Sequence, residues 1–500
     1  MSVRKDCIED PFGFPEEAEI LVTAGEPLLR KCKKPARVNP GYFAMKLHTQ
    51  FGLIYFSKNR EWFEWDETEW KPVSKATLQK RVCDYLRDQV WNYSNTLNAA
   101  RLMGEDPISP PHDLIDMKTI NGIINMAKYE CNGGDVPPPL DPDVIPVQNG
   151  LLLWKEEKKD FEFRAYTKDD LIFSKLNVKY DPQADQSFFL EKLAEIIPDS
   201  DNRRVLQEYL GASTFPENRT RKFIVLQGEG GCGKSVIVRL FSDIMTLDRT
   251  FDLDFRSLNG NYAFSGLTTQ TLLTASEAIS EVFCRTDGIE FVKKAVGGDY
   301  FATRQKYRNE SCSHYGYYSL ILITNNKMRF KFDGRGDEFK DRMILIRFDK
   351  HIEKRDLVIK DKLLRDHRSA IFGWILEGAK RVRMNNWNIT LTPEQISCRD
   401  RLIESARGID LFVKNYIEES DGDDVTSQEA YETYIRIHRK AGFENLSDTV
   451  FFKRFALAMS DHFDATRSNT IPGPDGKLVR GYRGYRLVKN PIAYEEKTLP

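Results

Sequence analysis

The sequence predicts an α/β chain: a mostly parallel sheet flanked by helices, with an α+β region before it and helices ending in a β-hairpin after it. Four runs, FIVLQ (223–227), TLLTAS (271–276), YYSLILIT (317–324) and MILIRF (343–348), are apolar on both faces, as strands buried between two helical layers are. The first runs directly into a glycine-rich turn, GEGGCGKS (228–235), and then into the amphipathic stretch VIVRLFSDIM (236–245). A strand, a glycine turn and a helix in that order form the start of a doubly wound unit.

Taken in order, the N-terminal part holds the aromatic pieces FGLIYFS (51–57) and REWFEW (60–65), joined at Lys58-Asn59, with a turn at Asp66-Glu67-Thr68 before Trp70. Short aromatic runs across polar breaks predict a small β-meander, with Trp62, Trp65 and Trp70 in its core or on an interaction face, in preference to base stacking because no basic residues interleave densely with them. A helix is expected over 75–103. The proline clusters PISPPHD (107–113) and VPPPLDPDVIP (136–146) mark turn-rich boundaries. Apolar residues recur at helical spacing through 187–212, with Gly211 as the stop. After the sheet come a helical stretch at 354–383, a linker beginning NNWNITLTPEQ (385–395), and helices at 409–418, 427–441 and 447–460. The hairpin-like RSNTIPGPDGKLVRGYRGYRL (467–487) ends the series, and three helices with such a hairpin describe a winged helix.

The chain has 500 residues, too many for one core, and its 41% hydrophobic and 30% charged residues describe folded protein. No run reaches the ~18 apolar residues that span a bilayer, and the opening MSVRKDCIEDPFGF has no apolar centre, so a cytosolic protein with no membrane partner is expected. Eight cysteines are scattered singly, which predicts free thiols and excludes a zinc ribbon. A net charge of -1 means that any affinity for nucleic acid must come from local basic features.

GEGGCGKS fits G-x-x-x-x-G-K-[ST] with both flanks present. Glycines free backbone N–H groups to wrap phosphates at the positive end of the following helix. The expected nucleotide contacts are Gly228, Glu229, Gly230, Gly231, Cys232, Gly233, Lys234 and Ser235. Lys234 is expected on the β- and γ-phosphates and Ser235 on Mg²⁺, with ATP as the cofactor. The second strand ends in Ser276-Glu277, so a carboxylate stands beside the nucleotide if that strand lies next to the first, and Glu277 is then the candidate for Mg²⁺ contact or for orienting the attacking water.

Further along, FVKKAVGGDYFATRQKY (291–307) places a GGD turn between a helix and a strand bearing Arg304, Lys306 and Tyr307. The third strand ends at Asn325 and Asn326, and GRGDEFKDR before the fourth contains Arg335 and Arg342. This order resembles the superfamily 3 helicases within the AAA+ ATPases, and within that class the helicase part of phage, plasmid and poxvirus-type primase-helicases. The resemblance covers 140–350 well, including NGLLLW (149–154), YDPQAD (180–185) and LQEYLG (206–211), and extends more loosely beyond.

The resemblance implies Glu277 as the acidic-strand residue that shares Mg²⁺ with Ser235, and Asn325 as the γ-phosphate sensor. Arg342 is the finger that reaches a neighbouring subunit's nucleotide, with Arg335 as the fallback. Lys294, Arg304 and Lys306 match the segment that presents a hairpin to single-stranded DNA in the channel of a ring, implying a homohexamer. It divides the chain into a helicase-associated α+β domain (1–140), a linker and helical collar (141–212), the AAA+ core (213–384), a linker (385–404) and a winged-helix-like domain (405–500). The core departs from many AAA+ proteins in having Ser276-Glu277 instead of an acidic pair, and Cys232 where relatives often have Asn.

The terminal hairpin gathers Arg467, Lys477, Arg480, Arg483 and Arg486, cations suited to phosphates and hence to origin duplex, with a protein contact, which winged helices also make, as the alternative. Phe451, Phe452 and Phe455 are expected in the core beneath it. DLD (252–254) and DPD (141–143) offer the only carboxylate pairs of polymerase type, and neither sits in a polymerase-like setting, so a separate primase is an expected partner. The implied function is ATP-driven DNA unwinding in the replication of a phage, plasmid or other mobile element. An AAA+ initiator or defence ATPase that binds DNA or a partner without processive unwinding stays open as the alternative. A metabolic kinase would need an acceptor site, and none is visible.

Overall fold

Period-two alternation in the central strands splits each of them between two cores. The computed structural model describes residues 28–29, 37–58, 60–102, 116–135, 137–138, 140–254, 270–275, 286–304, 311–325, 340–352, 358–440, 447–472 and 477–488. Strands β9 (Phe223–Gly228), β10 (Thr250–Asp252), β11 (Leu272–Ala275), β14 (Ser319–Thr324) and β15 (Met343–Phe348) form one parallel sheet in the order β10-β11-β14-β9-β15. Ile224, Leu226, Ile321, Ile323, Ile344 and Ile346 face one core, while Phe223, Val225, Leu320, Leu322, Met343 and Leu345 face the other. The uninterrupted apolar runs are therefore buried on both sides, as the sequence predicts.

The first core is closed by helices α4 (Ser187–Ile196), α5 (Ser200–Ala212), α6 (Lys234–Met245), α8 (Ile359–Asp366) and α9 (Arg368–Met384). Helix α7 (Thr286–Gly297) and Ile403 of α10 (Pro393–Tyr416) close the second. Helix α5 ends at Ala212, one residue past the expected stop, and Gly211 is also where α9 crosses it: a Cβ there would stand 2.2 Å from the Ala379 nitrogen, and one on Gly378 2.0 Å from the Gln207 oxygen. The two helical pieces part at Ile197-Pro198, after which Asp199 caps α5 by accepting from the Asn202 N–H at 2.6 Å. The buried Tyr209 hydroxyl then donates to the Leu320 carbonyl and accepts from its N–H, both at 2.8 Å, where β9 has not yet begun to pair with β14.

Before this core lie β1 (Leu28–Leu29), β2 (Arg37–Val38), α1 (Pro40–Phe51) and the antiparallel meander β3 (Leu53–Phe56), β4 (Glu61–Trp65) and β5 (Trp70–Val73). Trp62 and Trp70 are buried in the meander and Trp65 packs against Trp70, so the tryptophans are core. Helices α2 (Lys75–Leu102) and α3 (Met117–Glu130) pack beside it. Helix α1 was hidden in a segment without strong periodicity, but its signals are present: Asn39 caps, Pro40 opens and Gly52 closes with φ 57°. A second meander, β6 (Val144–Val147), β7 (Gly150–Lys155) and β8 (Asp160–Arg164), arises partly from the proline cluster expected to be only a boundary.

The segment 385–404, expected as a linker, is mostly helix. Thr392 and Gln395 form a reciprocal capping box around Pro393, and α10 then runs unbroken from the second core into a third. Strand β16 (Ile417–Thr426) follows where the sequence suggested a helix end. It pairs with β18 (Leu478–Leu487), which pairs with β17 (Ser468–Pro472). Helices α11 (Ser427–Lys440) and α12 (Asp448–Phe463) cover the sheet, with Phe451 and Phe455 fully buried and Phe452 partly so. The helical stretch expected at 354–383 is likewise two helices, divided at His367.

Candidate functional site

The glycine turn leaves the carboxyl end of β9, between β14 and the edge strand β15. Gly231 and Gly233 have φ values of 89° and 88°, a left-handed backbone that glycine adopts without penalty. Gly233 is the N-cap of α6 and offers no side chain to its first turn, so the helix dipole and the first N–H groups face the loop without a side-chain cap. A Cβ on Gly233 would stand 2.8 Å from Ile196 Cγ2 and 3.3 Å from Ile352 Cδ1, so two isoleucines fix the loop from outside.

Lys234 begins α6 and is buried. Its ammonium donates to the Gly228 carbonyl at 2.8 Å and the Glu229 carbonyl at 2.7 Å, and burial lowers its pKa below the ordinary lysine value. Ser235, one position on, is exposed, as are Glu229 and Gly230. Cys232 turns inward and packs in the core against the sheet, so this departure from the family pattern changes the underside of the loop and not its concave face.

Strand order decides what lies beside the loop. Strand β14 separates β9 from β11, so the condition attached to Glu277, that its strand lie next to the first, is not met. The end of β11 is two strand spacings away, ~10 Å laterally. Ser276 and Glu277 themselves lie outside the described residues, as do Lys306, Tyr307, Asn326 and Arg335. The neighbour on that side is the end of β14. Thr324 pairs with Gln227, and Asn325 follows, exposed and level with the start of the loop.

Arg342 is at the opposite end of the strands, just before β15, the neighbour of β9. It precedes Met343, which pairs with Phe223, whereas Phe348 at the far end of β15 pairs with Gly228. Six residues of strand, ~20 Å, separate Arg342 from the loop of its own chain, more than an arginine side chain spans. It donates to the Lys293 carbonyl at 2.9 Å, in the last turn of α7. Lys222 donates to the Asp341 carbonyl, and burial lowers its pKa, opposed by the Asp341 carboxylate and reinforced by Arg399 and Arg342. Arg399 is itself paired with Asp400 at 2.9 Å, so the charges around Arg342 are mixed.

Lys294 is exposed in the last turn of α7. A turn at Gly298 (φ 83°) leads into the hairpin of β12 (Tyr300–Arg304) and β13 (Ser311–Tyr315), which places Arg304 at the end of β12. In the terminal hairpin, the cations divide. Arg486 pairs with Glu418 at 2.6 Å, and Arg483 donates to the Thr470 carbonyl and hydroxyl at 2.9 and 3.0 Å. Strand β16 sets Glu418, Glu419 and Asp424 in register with the arginine-bearing half of β18. Lys477 and Arg480, both exposed, precede the stretch that β16 covers, so cationic character concentrates towards the hairpin tip. The acidic strand was legible as IEESDGDDVT and was missed because that segment reads as the end of one helix and a turn.

Among the described residues no cluster of His, Cys, Asp and Glu suits a metal ion, and no helix is long and apolar enough to cross a membrane. Residues 41–198 match the family model described as D5 N terminal like, a match that ends ahead of β9 and the phosphate loop. No curated protein matches. Similar solved structures include the A form apo structure of NrS-1 C terminal region-CTR, 12% identical with a TM-score of 0.45, covering 89% of this chain and 99% of that one. The apo structure of the NrS-1 C terminal region is 11% identical with a TM-score of 0.46, covering 89% and 98%.

Proposed function

We propose that this chain is an ATP-dependent DNA helicase of superfamily 3 type, built on an AAA+ core and working as a homohexameric ring in the replication of a mobile element. The observation that carries the reading is the division of the site between the two ends of neighbouring strands. The loop and Asn325 lie at the carboxyl ends of β9 and β14, and Arg342 is held ~20 Å away at the amino end of β15. A subunit with this layout offers half of a nucleotide site at each end of its strands, and head-to-tail packing joins the halves.

On binding ATP, Lys234 exchanges the Gly228 and Glu229 carbonyls for the β- and γ-phosphate oxygens, and the uncapped first turn of α6 receives the phosphate chain. Ser235, exposed on that turn, would hold Mg²⁺, which neutralises charge on the β- and γ-phosphates; Glu277, proposed for the same ion, would have to reach it across the end of β14. Asn325 orients the γ-phosphate end, and Arg342 of the next subunit stabilises the charge that develops as water attacks in line. Movement is delivered to DNA by Lys294, Arg304 and Lys306 around the β12–β13 hairpin. The C-terminal helices and hairpin are read as a winged helix whose Lys477 and Arg480 contact duplex phosphates, and priming falls to a separate protein.

The test is ATP hydrolysis and forked-duplex unwinding by the purified chain, with and without single-stranded DNA. Wild type should hydrolyse ATP faster with DNA and separate strands, and Lys234→Ala should do neither. A wild type without ATPase activity, or a Lys234→Ala variant that matches it, overturns the proposal.

A further inference from the structure

The β12–β13 hairpin carries two large aromatic side chains that the fold leaves in water. Tyr300 is 58% exposed and Tyr315 67% exposed, they are register partners, and their ring centroids lie 6.1 Å apart with planes at 74°. Burial in the core accounts for neither ring. Their placement is nonetheless fixed: Gly298 donates to the Gly316 carbonyl at 2.9 Å and Gly316 to the Asp299 carbonyl at 2.8 Å, closing the hairpin at the level of the pair. With a base built this way the rings are held ready, so little ordering cost remains for a ligand that covers them.

The sequence around the pair, 291–308, holds five basic residues (Lys293, Lys294, Arg304, Lys306 and Arg308) against Asp299 alone among acids, and Lys294 is exposed in the helix that leads into the hairpin. Exposed rings in a segment so rich in cations match a flexible polyanion with flat apolar faces, which is single-stranded nucleic acid.

We propose that Tyr300 and Tyr315 form a base-stacking platform for single-stranded DNA, so that the hairpin grips bases as well as phosphates. The inference deepens the helicase reading and rests on it. Stacking is tolerant of sequence because every base has a π-face, and it gives a hold that salt does not screen.

The test measures binding of the full chain, with a non-hydrolysable ATP analogue, to fluorescent oligo-dT and to an abasic oligonucleotide of equal length. Wild type should prefer the strand with bases. Tyr300→Ser with Tyr315→Ser should weaken oligo-dT binding by about 5- to 100-fold while leaving abasic binding unchanged. The Phe pair should restore the preference, since stacking needs the ring and not the hydroxyl. ATP hydrolysis without DNA should be unaltered in both variants. A Ser pair that keeps the wild-type preference overturns the platform and leaves the helicase reading standing, whereas a wild type that binds neither strand overturns both. If the Ser pair instead changes the oligomeric state by sedimentation and keeps the preference, the rings are a contact between subunits and the inference fails.

Discussion

If Arg342 completes the site of a neighbouring subunit, two inactive variants must be able to rescue one another. Arg342→Ala keeps its own loop, Lys234 and Asn325, all ~20 Å from the substitution, so its nucleotide affinity should stay within a factor of about two. Turnover should fall by about 10³-fold or more, the usual worth of a transition-state arginine. Lys234→Ala has the reverse defect, with a disabled loop and an intact Arg342. In a ring mixed at random from equal amounts, a competent interface needs the loop of the first variant and the arginine of the second. Half times half makes about a quarter of the interfaces competent in a head-to-tail ring. ATPase activity should therefore rise on mixing from near zero to about a quarter of wild type. The assay is steady-state hydrolysis across mixing ratios, with co-assembly checked by light scattering. Co-assembly without recovery, or an Arg342→Ala variant that has lost its own nucleotide affinity, would refute the shared site.

Other consequences follow from single contacts. Gly233→Ala must adopt a φ of 88° and meet Ile196, a strain of about 1–3 kcal/mol, so thermal unfolding should shift down and nucleotide binding should be lost. Tyr209→Phe leaves the buried N–H and C=O of Leu320 without their partner, and urea unfolding should show a loss of about 2–4 kcal/mol; a loss below about 0.5 would mean that the strand end is served otherwise. Asp66 accepts from Lys71, the Thr68 hydroxyl and the Thr68 and Glu69 N–H groups; burial opposes its ionisation, but these bonds together hold its pKa below the ordinary carboxylate value. Its stabilisation is present above the unfolded pKa of about 3.9 and lost as pH falls through the depressed folded value, so the gap between wild type and Asp66→Asn should narrow as pH is lowered from about 5 towards 2. Lys477→Ala and Arg480→Ala should each reduce the salt slope of duplex binding by about 1, whereas Arg486→Ala, whose charge is met by Glu418, should change it little.

What the sequence disclosed and what it withheld follow from the range of the forces involved. The glycine turn between β9 and α6 was legible because its geometry is local: consecutive residues set their own backbone, and Gly231 and Gly233 adopt the conformation that only their composition permits cheaply. The buried strands were legible because burial on both faces removes the polar alternation that marks other strands. Strand order was not, since nothing in TLLTAS says whether β9 or β14 is its neighbour, and the distance from loop to Glu277 depends wholly on that. The same limit hid the mixed charges around Lys222, where Asp341, Arg342 and Arg399 act on one ammonium from separate elements. Two misses had readable signals. Thr392-Pro393-Glu394-Gln395 is a helix start, overlooked because asparagines just before it suggested a linker, and Asn39-Pro40 with Gly52 brackets α1. The exposed tyrosines belong to neither class. Tyr300 was part of a motif valued for its charges, and only the register that sets Tyr315 opposite it turns an ordinary surface aromatic into a pair with one face and one available role.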